Sequence, residues 1–166
     1  NAAQLKEEME MEGSIFHTGN DAEIISAVII KERIKCHSIE DAVCNAMKRL
    51  KGAYSLVIMS PQKMIVARDE RGMHPLCYGK RGDGEYVVSS ESCALHSVSA
   101  TLIRDICPGE ILVFTKDGIR SITEHCDKVL FEKKTGIYRC LRNDGRYEVV
   151  VELDKEERSI QQDVYK

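Results

Sequence analysis

At 166 residues, 43% of them hydrophobic, the chain has the length and apolar content of one ordinary domain. A formal net charge of −3 offers no basic surface, so the sequence predicts no nucleic-acid partner and no binding to anionic membranes. The apolar runs are far shorter than the roughly 20 residues that a membrane-spanning helix needs. The polar start at Asn1 does not resemble a signal peptide, and the missing initial Met indicates that the chain was processed or cut from a longer one.

The seven cysteines are an odd number and are scattered without a Cys-x-x-Cys pair. This pattern predicts reduced thiols in the cytoplasm. Cys36 and His37 are adjacent, but no second ligand pair at short spacing accompanies them. The sequence therefore predicts no metal site and no cofactor.

Apolar residues at helical spacing, together with capping residues, predict helices in the first third of the chain. They cover 2–11, 22–35 and 38–52. Ser38 opens the third helix with Ser-Ile-Glu-Asp, a sequence that resembles a capping box.

After the third helix the spacing becomes that of strands, starting with a hairpin of two strands that we expect to be buried. The predicted strands cover 54–59, 64–68, 76–78, 86–90, 110–115, 118–122 and 147–153, with a short helix over 92–98 among them. Helices followed by antiparallel strands indicate an α+β fold. Residues 154–166 mix charges with little apolar content, which predicts a solvated terminal segment.

Two charged stretches fall at predicted strand ends. We interpret 68–71 (Arg-Asp-Glu-Arg) and 104–105 (Arg-Asp) as surface charge pairs, which contribute little individually.

Four segments, taken in order, resemble the amidophosphoribosyltransferases, the enzymes that open purine synthesis. They are 1–5, 13–23, 51–59 joined to 66–76, and 86–95 followed by 103–113. The most specific stretches are Arg-Asp-Glu-Arg-Gly-Met-His-Pro-Leu at 68–76 and Ser-Glu-Ser-Cys-Ala-Leu at 90–95. The resemblance implies glutamine as the substrate and an N-terminal-nucleophile fold, an αββα sandwich of two antiparallel sheets between helices. It implies that residues 1–123 are the C-terminal part of such a glutaminase domain, which is truncated at its N-terminus. Residues 124–166 would then be a divergent tail of unknown role.

In that family a cysteine at the mature N-terminus attacks the amide of glutamine, and a His-Asn-Gly-Asn loop stabilises the oxyanion. Asn1 has an amino group but no thiol, and the loop would lie just before it. The resemblance therefore implies that this chain contains no catalytic residue and is inactive alone.

Asp21 matches the family aspartate that holds the α-amino group of glutamine. The alternative is that Asp21 is only the N-cap of the helix that begins at Ala22. His74 departs from the family pattern, which usually has Arg before Pro-Leu, and Gly19-Asn20 replaces a hydroxyl residue and a serine. Cys140 lies near the position of an iron–sulfur ligand in some members, but its neighbours do not match, and we interpret it as an ordinary thiol.

Three functional hypotheses remain at this point. The chain is a portion of a glutamine amidotransferase, a non-catalytic binding or interaction domain on the same scaffold, or the glutaminase half of a related transferase such as glucosamine-6-phosphate synthase. A sheet that lacks its first strands exposes edges, so we also expect self-association into a homo-oligomer.

Overall fold

The computed structural model describes residues 1–82 and 84–126 in full, and beyond them the backbone of strands at 129–132, 137–141 and 147–152. The helices are α1 (Ala2–Met11), α2 (Asp21–Lys35), α3 (Ile39–Arg49) and α4 (Ser92–Ser97). The strands are β1 (Ser55–Met59), β2 (Met64–Arg68), β3 (Cys77–Arg81), β4 (Glu85–Ser89), β5 (Thr101–Asp105), β6 (Ile111–Thr115), β7 (Gly118–Ile122), β8 (Val129–Glu132), β9 (Ile137–Leu141) and β10 (Tyr147–Glu152). None of the described helices is long and apolar enough to cross a membrane.

All strand pairs in these sheets are antiparallel, which confirms the predicted α+β class. The first sheet has the order β1-β2-β6-β7, the second β4-β3-β5 and the third β10-β9-β8. A turn closes the hairpin of β1 and β2, and in it the amide of Ser60 donates to the carbonyl of Lys63 at 2.9 Å.

The two central strands of the first sheet bury side chains on both faces, because successive residues of a strand point to opposite sides. Ile65 of β2 and Val113 of β6 pack against α1, α2 and α3 in one core cluster. Val66 and Phe114 point the other way and pack against the second sheet, where Phe114 meets the ring of Tyr78 edge-on at 5.5 Å. The helices and the second sheet thus cover opposite faces of the first sheet.

The second sheet in turn is covered by α4. Cys77 of β3 packs with Leu95 of α4 and with Ala100 in a separate buried cluster. The order of the layers is therefore helices, sheet, sheet and helix.

The structure corrects the expectation that both strands of the first hairpin are buried. β1 is an outer strand of its sheet, and Val57 and Met59 remain 51% and 72% exposed. β2 lies between β1 and β6, so Ile65, Val66 and Ala67 have no exposed surface. Position in the sheet, and not the apolar content of the strand, decides which of the two is buried.

The charged stretches at 68–71 and 104–105 are not surface pairs, which is a second correction. Asp69 is only 1% exposed. Arg104 does not pair with Asp105 but binds both carboxylate oxygens of Glu110, at 2.8 and 2.7 Å, and the Glu110 side chain is 3% exposed. Burial raises the pKa of Glu110, but hydrogen bonds from Arg104, Ser121 and the amide of Cys107 outweigh it and leave that pKa lowered.

Candidate functional site

Asp21 is the first residue of α2 and is not its cap. Asn20 takes that position, with extended backbone, and its side-chain oxygen accepts from the amide of Ala22 at 2.9 Å. The alternative that Asp21 serves only as the N-cap is therefore wrong. Among the described residues, none donates a hydrogen bond to the exposed Asp21 carboxylate, so that group is available to a ligand.

Glu23 holds the loop that leads into Asp21. Its carboxylate accepts from the amide of His17 at 2.9 Å and from the amide and hydroxyl of Thr18 at 2.8 and 2.6 Å. These bonds, the one from His17 first, lower the pKa of Glu23 from an ordinary 4.5 to about 2. The loop before α2 is therefore fixed by a carboxylate that stays charged throughout the physiological range. Sequence reasoning missed Glu23, although its position two residues after Asp21 was part of the matched segment.

A cleft of about 370 Å³ lies at the carboxyl end of α3. Its lining includes Lys51, Gly52, Tyr54, Asp69, Glu70 and Arg71. Cationic and anionic side chains thus border the same cleft, together with a buried tyrosine.

Asn1 fastens the start of α1 beside this cleft. Its side-chain amide donates to the carbonyl of Arg49 at 3.0 Å and its oxygen accepts from the amide of Lys51 at 2.8 Å. The terminal ammonium donates to the carbonyl of Lys51 at 3.1 Å. The side chain of Asn1 therefore ties the start of α1 to the end of α3.

Arg68 and Asp69 shape the loop between β2 and β3. The guanidinium donates to the carbonyls of Gly72, His74 and Ile106 at 2.8, 2.8 and 2.6 Å. The Asp69 carboxylate accepts from the amides of Arg71 and Met73 at 3.0 and 3.2 Å. This loop forms one wall of the cleft, so Arg68 shapes the cleft through backbone geometry, whereas Asp69 also lines it directly.

The structure does not bring all the predicted residues together. Neither Asp21 nor the exposed His74 is one of the described residues that line the cleft. The side chain of Cys140 lies outside the described residues. Asp21 with its loop, and the cleft beside Asn1, are therefore two separate features of the described chain.

A further group of polar side chains lies where α3 meets the segment after β7. Cys44, Glu124 and His125 place one sulfur, one oxygen and one nitrogen within 4.8 Å of one another. Burial, and then the hydrogen bond to Glu124, raises the pKa of Cys44 to about 11, so the thiol is neutral near neutral pH. Spacing analysis missed this group because Cys44 and His125 are 81 residues apart.

Comparison with known families gives a match over most of the fully described region. The family model described as "Glutamine amidotransferase domain" matches residues 1–97. The matched stretch includes Asp21, Asn1 and the loop formed by Arg68 and Asp69.

Two curated relatives are amidophosphoribosyltransferases. The protein from Bacillus subtilis is 43% identical over 121 residues, covering 73% of this chain and 25% of the relative. The protein from Methanocaldococcus jannaschii is 42% identical over 118 residues, covering 71% of this chain and 25% of the relative. This chain thus spans about a quarter of the length of these relatives.

A solved structure agrees with the sequence match. The glutamine phosphoribosylpyrophosphate amidotransferase from B. subtilis, complexed with ADP and GMP, superposes with a TM-score of 0.69 at 43% identity. The superposition covers 74% of this chain and 26% of that one. Fold and sequence point to the same group of proteins.

Proposed function

Because the chain belongs to the glutamine amidotransferase domain family, we propose that it is a portion of an amidotransferase of the amidophosphoribosyltransferase type. Such an enzyme releases ammonia from glutamine for phosphoribosylamine formation in purine synthesis. The observation that carries the proposal is 43% identity together with a shared fold over about three quarters of the chain. The scattered thiols support a cytoplasmic location.

The fold of the portion is that of an N-terminal-nucleophile hydrolase. The helix, sheet, sheet and helix order of the layers supports this assignment, as does the antiparallel pairing of both central sheets. The glutaminase part extends over 1–123, since β7 ends at Ile122. Residues 124–166 form the tail.

Asp21 holds the α-amino group of glutamine. A carboxylate and an ammonium make a charge-assisted hydrogen bond, which is the strong kind. The start of α2 favours the ionised carboxylate because the helix dipole is positive there. Asn20 provides the N-cap and Glu23 fixes the preceding loop, so the Asp21 carboxylate is positioned while its oxygens stay free to accept from a ligand.

Residues 1–166 alone do not hydrolyse glutamine. In the family the attack needs an N-terminal cysteine and an oxyanion loop, and the resemblance places both ahead of Asn1, so residues 1–166 contain neither.

Calorimetric titration of the 166-residue chain with glutamine tests the role of Asp21. We expect binding, and we expect Asp21→Asn to weaken it by roughly 10-fold to 100-fold, the value of a hydrogen bond to a charged group. Asp41→Asn is the matched control, because Asp41 is an exposed acidic residue in the first turn of α3. Equal affinity of the wild type and Asp21→Asn would remove Asp21 from the site.

The second candidate is a non-catalytic domain that binds an amino acid. The free carboxylate of Asp21, which can bind an amino group without any catalytic thiol, favours it. The coding sequence ahead of Asn1 separates the two candidates: a Cys-Gly start with a later His-Asn-Gly-Asn motif establishes the enzyme, and any other sequence favours the binding domain. Ammonia release by the 166-residue chain itself would contradict both.

A further inference from the structure

The cluster of Cys44, Glu124 and His125 has the composition of a metal site. The Cys44 sulfur lies 3.2 Å from Oε2 of Glu124 and 3.2 Å from Nε2 of His125. We propose that these three side chains bind a divalent cation of the zinc class, independently of any glutamine chemistry. Zinc accepts sulfur, imidazole nitrogen and carboxylate oxygen together, whereas magnesium and calcium prefer oxygen alone.

The spacing of the donor atoms fits a tetrahedral ion. With ordinary zinc bond lengths, a sulfur and a nitrogen on the same tetrahedral ion are about 3.5 Å apart. The observed separation of 3.2 Å between Cys44 Sγ and His125 Nε2 is a few tenths of an ångström shorter. Small side-chain rotations admit the ion. Nε2 then gives up its 2.8 Å contact with the Cys44 carbonyl, and the imidazole binds the metal as the tautomer whose proton is on Nδ1, the nitrogen that faces Glu70.

Neighbouring side chains orient Glu124 and His125, as the residues around the ligands of known metal sites do. Glu70 lies 3.5 Å from Nδ1 of His125, so a carboxylate faces the far ring nitrogen and leaves Nε2 directed at Cys44. Lys48 binds Oε1 of Glu124 at 3.0 Å, while Oε2 faces the sulfur. In both His125 and Glu124, one polar atom is held by a neighbouring side chain and the other faces the Cys44 sulfur.

Burial and charge are also suitable. Cys44 is 6% exposed and the His125 side chain is 8% exposed, whereas the Glu124 side chain is 57% exposed. Solvent therefore reaches the cluster from the side of Glu124, where a water completes four-coordination. One thiolate and one carboxylate neutralise the two charges of the ion, and the thiol proton of Cys44 passes to solvent when the metal binds.

The consequence of binding is a cross-link between distant parts of the chain. Cys44 lies in α3, and Glu124 and His125 follow β7, 80 residues later. An ion here fastens the segment that leads into the tail to the helical layer, so the bound metal stabilises that junction in the folded chain.

Cobalt(II), which reports thiolate ligation by its ultraviolet charge-transfer absorption, is the probe for the test. We expect one cobalt ion per 166-residue chain with a thiolate band, and competitive displacement of cobalt by zinc. Cys44→Ser should abolish the band, and His125→Gln should weaken cobalt binding by more than 10-fold. Glu70→Gln, at an exposed position, should weaken it by roughly 10-fold, as loss of a group behind a ligand does.

Cys93→Ser is the matched control, because the Cys93 thiol also contacts a carboxylate, that of Glu91 at 3.2 Å, but is exposed. It should leave the band and the affinity unchanged. Should Cys44→Ser fail to fold, Glu70→Gln and His125→Gln carry the test. No thiolate band in the wild type, a band that survives in Cys44→Ser, or equal affinity in the wild type, Glu70→Gln and His125→Gln would overturn the proposal. None of these results bears on glutamine binding, so the two proposals fail separately.

Discussion

The backbone of Gly109 lies directly against the carbonyl group of His125. A Cβ atom at residue 109 would approach that oxygen to 2.1 Å, and Gly109 has a φ of 76°. The amide of Gly109 also donates to the carbonyl of Asp69 at 2.9 Å. One glycine therefore connects the cleft loop with the segment after β7, and the close approach requires that it have no side chain.

Gly109→Ala should destabilise the fold by about 2 kcal/mol or more, because the new methyl group is strained by the positive φ and collides with backbone. Thermal unfolding should show a Tm lower by at least roughly 4 °C for a chain of this size. Gly19→Ala is the control, since a Cβ there has nothing within 4 Å. Equal Tm values for the two variants would mean that the segment after β7 moves aside freely.

Arg104→Ala should be among the most destabilising changes at a charged residue. It leaves the Glu110 carboxylate, which is 3% exposed, without its two-point partner. Removing the partner of a buried charge costs about 3 kcal/mol here, the low end for a buried pair, because the Arg104 side chain is itself 32% exposed. Arg81→Ala removes the partner of Glu85 in an exposed pair and should cost at most about 1 kcal/mol. Urea unfolding of both variants measures the difference, and comparable losses would show that Glu110 is rescued by Ser121 and the amide of Cys107.

Hydrophobic periodicity and capping residues were sufficient to predict most of the helices and strands. The helix over 2–11 was predicted with its observed bounds, and Ser38 caps α3 as expected, accepting from the amide of Asp41 at 3.1 Å. β5 was missed because Leu102 and Ile103 are adjacent apolar residues, so the segment shows no alternation of apolar and polar side chains. Its strand geometry comes from pairing with β3, which no local pattern reveals.

The tail was only partly predictable. β10 is confirmed over Tyr147–Glu152, with residue 153 and the expected solvated segment 154–166 outside the described residues. β8 and β9 were missed, and each is identified by its pairing in the third sheet. The boundary after residue 123 stays a prediction.

The candidate site was less accessible to sequence reasoning than the fold. The resemblance singled out Asp21. The sequence did not show that α2 begins one residue earlier than predicted, so that Asn20 provides the N-cap and the Asp21 carboxylate stays free. The cluster at Cys44 was invisible because its partners lie some 80 residues away. Contacts between residues this far apart depend on how the helices and sheets pack against one another. The sequence predicted these elements but not which of their residues meet.

The carboxylate of Glu23 should titrate with a midpoint near pH 2, far below the ordinary 4.5. Because the folded-state pKa is lowered, its stabilisation of the loop is fully present above about pH 4.5 and is lost as the pH falls through about 2. Nuclear magnetic resonance of the carboxyl carbon measures the midpoint. Thr18→Val removes the hydroxyl donor at 2.6 Å and should move the midpoint upwards, whereas Gln4→Ala, which affects an exposed bond in α1, should not. A wild-type midpoint near 4.5 would show that the loop bonds do not persist in solution.

Self-association should occur through the outer strand β1. Strands β1 and β7 are the outer members of the first sheet, and β1 carries Val57 and Met59 in exposed positions. An exposed apolar edge pairs readily with another copy, and a lysine on such an edge blocks the pairing. Light scattering should show a concentration-dependent dimer for the wild type and a monomer for Val57→Lys. Ile34→Lys, which charges an equally apolar position on α2 that is 82% exposed, should remain dimeric, because it leaves the strand edge unchanged. A wild-type monomer at every concentration, or a monomer in both variants, would contradict pairing through β1.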